Sequence, residues 1–452
     1  MANLPPSNST KSLDILIVGA GVAGPVLALL LQRSNPNHNI TIIERWPGLR
    51  TGGQQLDLSA QCIPIMRQLG LLEELRQYCV NETGMELIDL HGKSLMQFGV
   101  TKAGDKGGTF ELTNEFEFMR GDFVKMMYTA SLKDRETLNS QGHTRGSLTY
   151  LFNTTLTAIS QDTTAPDLAT ATFSTGQTTP YNLIVAADGQ NSRTRRLVFG
   201  EAANTAAYTS LNTHAAFYHI PRSPRETSLA RMYFSPENRL TMTRSGDRPE
   251  TQVYLIQLQN AQRTPVLKAA QKLPVREQKE VWADLYRDAG WECERFTREL
   301  DGVDDFYATE IVQVKMPGKQ LYSGRVVLLG DAGYCPSPFT GMGTTLALIG
   351  AYVLVGELGR HGNDVGAALR AYEEEMKQPV EENQELGALV NGGKGIFPRS
   401  AWGIWTLNTV LWTMSVLRLD KLLGMVAGFV PEGKGSSGWK LPKYPGMNME
   451  AL

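Results

Sequence analysis

Leu13-Asp-Ile-Leu-Ile-Val-Gly-Ala-Gly-Val-Ala-Gly24 runs an apolar strand, residues 13–18, straight into a glycine cluster. A helix-like apolar run follows from Val22 to Leu31, and Ile40-Thr-Ile-Ile43 reads as a second strand ending at Glu44-Arg45. Strand, glycine turn, helix and strand together make a βαβ start. Gly19, Gly21 and Gly24 remove Cβ atoms where backbone must approach a pyrophosphate, and the helix that follows presents free N–H groups and a positive dipole end to that anion. Glu44 lies about 20 residues past the last glycine, where an acid can accept ribose hydroxyls. The pattern predicts a Rossmann-like α/β dinucleotide-binding domain.

Two further clusters follow in fixed order. Leu183 to Ala187 is a short apolar strand leading into Asp188-Gly-Gln-Asn-Ser192. Arg325 to Leu329 is another, dropping into Gly330-Asp331 and then Gly341-Met-Gly343, where an apolar helix over Thr344–Leu358 begins. A carboxylate at Asp331 can accept a hydrogen bond from a sugar-alcohol hydroxyl, and the helix terminus beyond it can stabilise negative charge on a reduced ring system. Cys335-Pro-Ser-Pro-Phe339 supplies a stiff apolar edge beside that ring. Spread over more than 300 residues, the three clusters point to one FAD held along its whole length. Gly433-Lys-Gly-Ser-Ser-Gly438 also fits GxGxxG, but no strand precedes it and Trp439-Lys-Leu-Pro follows it, so it reads as a loop. A nicotinamide donor therefore has no Rossmann unit of its own.

The chain is 452 residues long, 42% hydrophobic and 20% charged, with a net charge of -2. That balance gives no electrostatic reason to expect nucleic acid. The four cysteines, Cys62, Cys79, Cys293 and Cys335, are scattered and form no CxxC, against a disulfide framework or a zinc site. No metal site is expected. The polar amino terminus lacks the apolar core of a signal peptide, so a cytoplasmic setting is expected. Residues 401–417 are rich in Trp, Leu, Val and Ile but also hold Thr406, Asn408, Thr409, Thr413 and Ser415. A spanning helix needs ~20 apolar residues, so this run reads as a buried or interface helix, with membrane-surface contact the second reading.

Alternating segments at 211–220, 229–234, 239–243 and 251–258, separated by turn-rich pieces, predict an antiparallel sheet in a second domain. The first domain is then discontinuous, with residues 1–80, 111–198 and 311–390 binding FAD. Residues 81–110 and 199–310 form the inserted substrate domain, and 391–452 a C-terminal helical extension. Phe217, Tyr218 and Tyr233 lie on the inserted strands, where they can line a pocket for a flat organic molecule or fill its core. Arg193, Arg195 and Arg196 form a basic cluster beyond Asp188; it can orient a ligand or sit in a salt-bridged surface turn. His214 and His219 are five apart, on opposite faces of an extended strand.

Over roughly residues 13–390 these motifs resemble the class A flavoprotein monooxygenases, the aromatic-hydroxylase family. The stretch from Arg325 to Thr345 and Gly52-Gly-Gln-Gln-Leu-Asp-Leu58 resemble the branch of the tetracycline-inactivating and fungal secondary-metabolite monooxygenases. The resemblance implies FAD contacts at Glu44, Arg45, Gly53, Asp57, Arg120, Asp188, Asp331, Pro338, Gly341, Gly343 and Thr344, beside the three glycines of the first cluster. It places Arg50 near NAD(P)H and Arg193 as the candidate to polarise an oxygenated product. It implies transfer of an oxygen atom from a flavin C4a-hydroperoxide to an electron-rich aromatic or indole-type small molecule, with O2 and NAD(P)H consumed. Two departures stand out: Ala332-Gly-Tyr334 where the family often has Ala-Ala-His, and Thr344 where it often has Asn. An FAD-dependent dehydrogenase or reductase without oxygen insertion and a non-catalytic flavin-binding protein remain alternatives. A flavin halogenase does not fit, because Trp402-Gly-Ile-Trp405 lacks that group's W-x-W-x-I-P segment.

Overall fold

The computed structural model describes residues 11–50, 52–58, 61–101, 113–114, 116–162, 164–337, 340–391, 400–416, 439–444 and 447. A six-stranded sheet runs in the order Tyr322–Ser323, Val326–Leu328, Leu183–Ala186, Asp14–Val18, Asn39–Ile43 and Ser147–Leu151. Every pair is parallel except the edge pair formed by Tyr322–Ser323. Parallel strands covered on both faces read as unbroken apolar runs, which is how Ile15–Val18 and Leu183–Ala186 read. One face packs against the helices Ala23–Ser34, Arg120–Ser140 and Gly343–Arg360. The other packs against a three-stranded antiparallel sheet, Leu156–Ser160, Ala169–Phe173 and Thr178–Tyr181.

Register explains why the three sequence clusters meet. Val18 pairs with Ile43 on one side and Ala186 on the other, and Ala186 pairs with Leu328. The four chains therefore leave the sheet side by side at its carboxyl edge, delivering Gly19, Glu44, Asp188 and Asp331 to one crevice. Ligands of open α/β sheets bind at such an edge.

The second sheet has seven strands, in the order Tyr307–Val314, Tyr208–Pro221, Glu250–Gln257, Arg239–Arg244, Leu229–Ser235, Gly84–Ile88 and Ser94–Phe98. The four segments read as antiparallel do pair that way. Leu229–Tyr233 pairs in parallel with Gly84–Ile88, so the sheet is mixed rather than wholly antiparallel. Its first strand runs to Val314, which pairs with Tyr208, and the register shifts between Ser210 and Thr213. Alternate residues take opposite faces. Ala216, Tyr218, Ile220, Val253 and Leu255 pack against the helices Val275–Tyr286 and Cys293–Glu299. Ala215, Phe217, Met232, Phe234, Met242 and Tyr254 form the opposite face.

The carboxyl-terminal extension touches both domains. The Ala401–Val416 helix packs on the strands Ser94–Phe98 and Leu229–Ser235. Trp439 and Tyr444 join the first domain's core, with Trp439 Nε1 donating to Glu375 at 2.9 Å and the Tyr444 hydroxyl to Glu357 at 2.9 Å. Of the two readings, buried or interface helix, the packing fits the interface one, since Trp402 is 74% and Trp405 62% exposed on the other side. No helix among the described residues is long and apolar enough to cross a membrane. The loop at 433–438 lies outside the described residues.

Candidate active site

The three glycines of the first turn have different jobs. Gly19 has φ +111, and a Cβ there would stand 2.5 Å from the Ala187 carbonyl oxygen. A Cβ on Gly24 would stand 2.1 Å from the Gly19 oxygen, so that glycine lets the helix lie against the strand. A Cβ on Gly21 would meet only the Arg120 guanidinium, at 3.5 Å. Gly21 thus leaves backbone open to an incoming group. The helix Ala23–Ser34 has no side-chain cap and no acid in its first turn, so its first N–H groups are free for an anion.

Glu44 is fixed beside this turn. Its two carboxylate oxygens accept from the Ala20 N–H at 3.0 Å and the Trp46 N–H at 3.2 Å. Arg45, next to it, is exposed and lies over the Trp46 ring.

Arg120 begins the helix Arg120–Ser140 and reaches across the crevice. Nη1 donates to the Arg50 and Gly52 carbonyl oxygens at 3.0 and 3.3 Å. Gly53, with φ +133, leaves room for its stem, since a Cβ there would lie 2.9 Å from Arg120 Cδ. Burial weakens this guanidinium's hold on its proton and nearby Arg50 adds to that, while Tyr307, Asp331 and Glu44 act the other way. Among the described residues no carboxylate is hydrogen-bonded to it. A cation hydrogen-bonded to carbonyl oxygens, beside an uncapped helix terminus and a turn lacking Cβ, fits a pyrophosphate.

The opposite wall is acidic. Gly330, with φ 62, turns the chain so that Asp331 opens the short helix Asp331–Tyr334. Burial raises the Asp331 carboxyl above its ordinary range, against the hydrogen bond from Cys335 and the charge of Arg120. Asp57 lies against Gly341, where a Cβ would come 2.8 Å from its Oδ2. Gly343 and Thr344 start an eighteen-residue helix that also lacks a side-chain cap and an acid in its first turn. These two carboxylates and this terminus fit the hydroxylated chain and the ring end of a flavin. Pro338 lies outside the described residues.

Most of the other residues singled out from sequence have partners of their own. Asp188 spends its carboxylate on its own helix: Oδ1 accepts from Ser192 Oγ at 2.5 Å, and Oδ2 from Thr194 N–H and Oγ1 at 3.0 and 2.9 Å. Arg193 is exposed on the first turn of that helix. Tyr218 and Tyr233 turn to the helix side of the second sheet, their hydroxyls donating to the Phe296 and Ala289 carbonyl oxygens. Phe217 lies on the opposite face, edge-on to Tyr254 at 4.9 Å and stacked with Tyr307 at 6.3 Å. Arg50 sits over the Tyr307 ring at 4.2 Å.

Sequence reasoning missed the polar seam between the domains. The Gln55 N–H bonds to Gln252 Oε1 at 3.1 Å and to the Tyr254 hydroxyl at 3.0 Å, and Gln252 Nε2 donates to Gln55 Oε1 at 3.0 Å. Gln55 Nε2 donates to Glu117, which shares the Arg244 guanidinium with Glu82. The partners are up to 199 residues apart and carry no local signature. The seam ties the strand bearing Asp57 to the face bearing Phe217 and Tyr254.

The family described as FAD binding domain matches residues 12–385. FAD-dependent monooxygenase asL6 of Sarocladium schorii is 36% identical over 446 residues, covering 97% of this chain and all of the relative. Flavin-dependent monooxygenase eupH of a Phoma species is 32% identical over 431 residues, covering 91% of this chain and 94% of the relative. The crystal structure of tetracycline destructase Tet(55) superposes with a TM-score of 0.69 at 26% identity, covering 95% of this chain and 98% of that one.

Proposed function

Because this chain belongs to the FAD-binding-domain family and is an FAD-dependent monooxygenase, we propose that it uses NAD(P)H and O2 to hydroxylate or epoxidise an electron-rich aromatic or indole-type small molecule of secondary metabolism. The observation that carries this reading is the apolar, aromatic face of the second sheet, where Phe217 meets both Tyr254 and Tyr307, joined through Gln55 to the strand that holds Asp57. Such a wall suits a flat ring, and Phe or Tyr faces bind one by stacking or edge contact.

Bound FAD supplies the redox chemistry, accepting a hydride and activating O2 for transfer of one oxygen atom. The chain's own groups bind and orient. Arg120 and the Ala23–Ser34 terminus neutralise pyrophosphate charge, while Glu44 and Asp331 accept sugar-type hydroxyls. The Gly343–Arg360 terminus, without a side-chain cap, sets the positive end of its dipole toward charge developing on the ring end. Arg50 lies at the cleft between the domains and can meet the phosphate of an entering nicotinamide cofactor. Among the described residues no nucleophile is called for, and none is assigned.

NADPH and NADH oxidation, O2 uptake and 18O2 tracing against a panel of phenols and indoles test the proposal. Labelled oxygen in product, with ligand-stimulated NAD(P)H oxidation, is the expected result. Turnover of an aromatic ligand without label would refute it.

A further inference from the structure

The helix Ala401–Val416 contains no charged residue in sixteen positions. Its exposed residues, among those whose side chains are described, fall on one side. At 100° per residue, Trp402, Trp405, Thr409 and Thr413 form a stripe with Val410 at its margin, and buried Ile404 lies opposite. Trp402 and Trp405 are among the most exposed large apolar residues described, and Val410 is 49% exposed. Scattered apolar side chains on a surface are ordinary, but two adjacent tryptophans on an uncharged helix are not.

The threonine hydroxyls on this face donate within the helix. Thr406 Oγ1 donates to the Trp402 carbonyl oxygen at 2.9 Å, Thr409 Oγ1 to Trp405 at 2.8 Å and Thr413 Oγ1 to Thr409 at 2.7 Å. Three successive hydroxyls are thus satisfied inside the helix, leaving methyl groups and indole rings outward. Helices that enter an apolar medium must satisfy their polar groups in this internal way. Ser400 caps the start, its Oγ accepting the Gly403 N–H at 3.1 Å.

Charge decides the partner. In the sequence the helix is flanked by Lys394 and Arg399 on one side and Arg418 and Lys421 on the other, against the single acid Asp420. Basic flanks complement an anionic surface, and a second copy of a chain with a net charge of -2 would bring the same basic flanks against these. At about 1.5 Å per residue the helix is too short to span.

We propose that Trp402, Trp405 and Val410 dock this protein on an anionic lipid surface, with the Ala401–Val416 helix lying flat in the headgroup region. The same helix packs on Ser94–Phe98 and Leu229–Ser235, so docking sets the edge of the second sheet beside the bilayer.

Flotation of the FAD-loaded full-length protein with phosphatidylcholine vesicles and with mixed phosphatidylcholine–phosphatidylserine vesicles tests this. Wild type should float with the mixed vesicles and less with neutral ones, with a blue shift of tryptophan emission. The double variant Trp402→Ser/Trp405→Ser should bind about tenfold or more weakly, and Thr409→Glu, which sets a negative charge against anionic headgroups, should also release the protein. Flavin content, measured in parallel, should not change in either. Wild type that stays with neither vesicle overturns the proposal. So does binding indifferent to both sets of substitutions, or a concentration-dependent dimer that the double variant abolishes in place of lipid binding.

Discussion

Arg195 Nη1 donates a 2.7 Å hydrogen bond to the carbonyl oxygen of Ala332, 137 residues away. The same guanidinium binds the Gln190 oxygen through Nη2 and Asn204 Oδ1 through Nε, both at 2.9 Å. One buried cation therefore stitches the Asp188 turn to the backbone beside Asp331, and holds the third cluster of the cofactor crevice in place.

Arg195→Met should cost about 3 kcal/mol or more of stability, because three acceptors lose a charged donor. Arg195→Lys keeps the charge but cannot span three acceptors with one ammonium. It should fold, unfold at lower temperature than wild type and release flavin more easily. Thermal unfolding with and without added FAD measures both effects.

Asp331→Asn separates binding from stability. Burial raises the Asp331 carboxyl in the folded protein. A raised carboxyl means stability is fully present below the unfolded value and is lost as pH rises through the folded one. The flavin-free Asn variant should therefore match the wild type in acid, pull ahead as pH rises past the ordinary carboxylate range, and stay ahead at neutrality. Its affinity for FAD should fall about ten- to hundredfold, for loss of ~1.5–3 kcal/mol of charge-assisted hydrogen bonding. Denaturation curves across pH and flavin titration check the two halves.

Gly21→Ala and Gly24→Ala should fail differently. A Cβ at Gly24 meets the Gly19 oxygen at 2.1 Å, so the helix must move off the strand and soluble protein should be scarce. At Gly21 the new methyl meets only Arg120. That variant should yield well-folded but pale protein, as absorbance near the flavin bands against protein absorbance would show.

Phe217→Ala and Tyr218→Ala test the two faces of the second sheet. Tyr218 is 1% exposed in the helix-side core, and its truncation should cost about 3–5 kcal/mol. Phe217→Ala should cost less stability and instead weaken the stimulation of NADPH oxidation by aromatic ligands. Equal destabilisation by both, with ligand stimulation unchanged, would place the ligand wall elsewhere.

The chain carries its first domain in legible form. Apolar strands ending in glycine or aspartate gave the sheet, because a parallel sheet buried on both faces needs uninterrupted apolar runs, and the turns at its carboxyl edge need glycine. The helix over Thr344–Leu358 was readable for the same reason and extends from Gly343 to Arg360. Glycine spacing marked the turn where backbone lies open for a pyrophosphate, since missing Cβ atoms are what such an approach needs. Aromatics on the second sheet were visible too, but alternation tells only that neighbours face opposite ways, not which way is the pocket. Tertiary packing decided that Phe217 faces Tyr254 while Tyr218 and Tyr233 face the helices. It also gave Arg195 the buried role and left Arg193 outside, although both sit in one short basic run. The Gln55–Gln252–Tyr254 seam and the exposed tryptophans of the Ala401–Val416 helix depended wholly on which surfaces came together, a property of contacts far apart in the chain that no local pattern encodes.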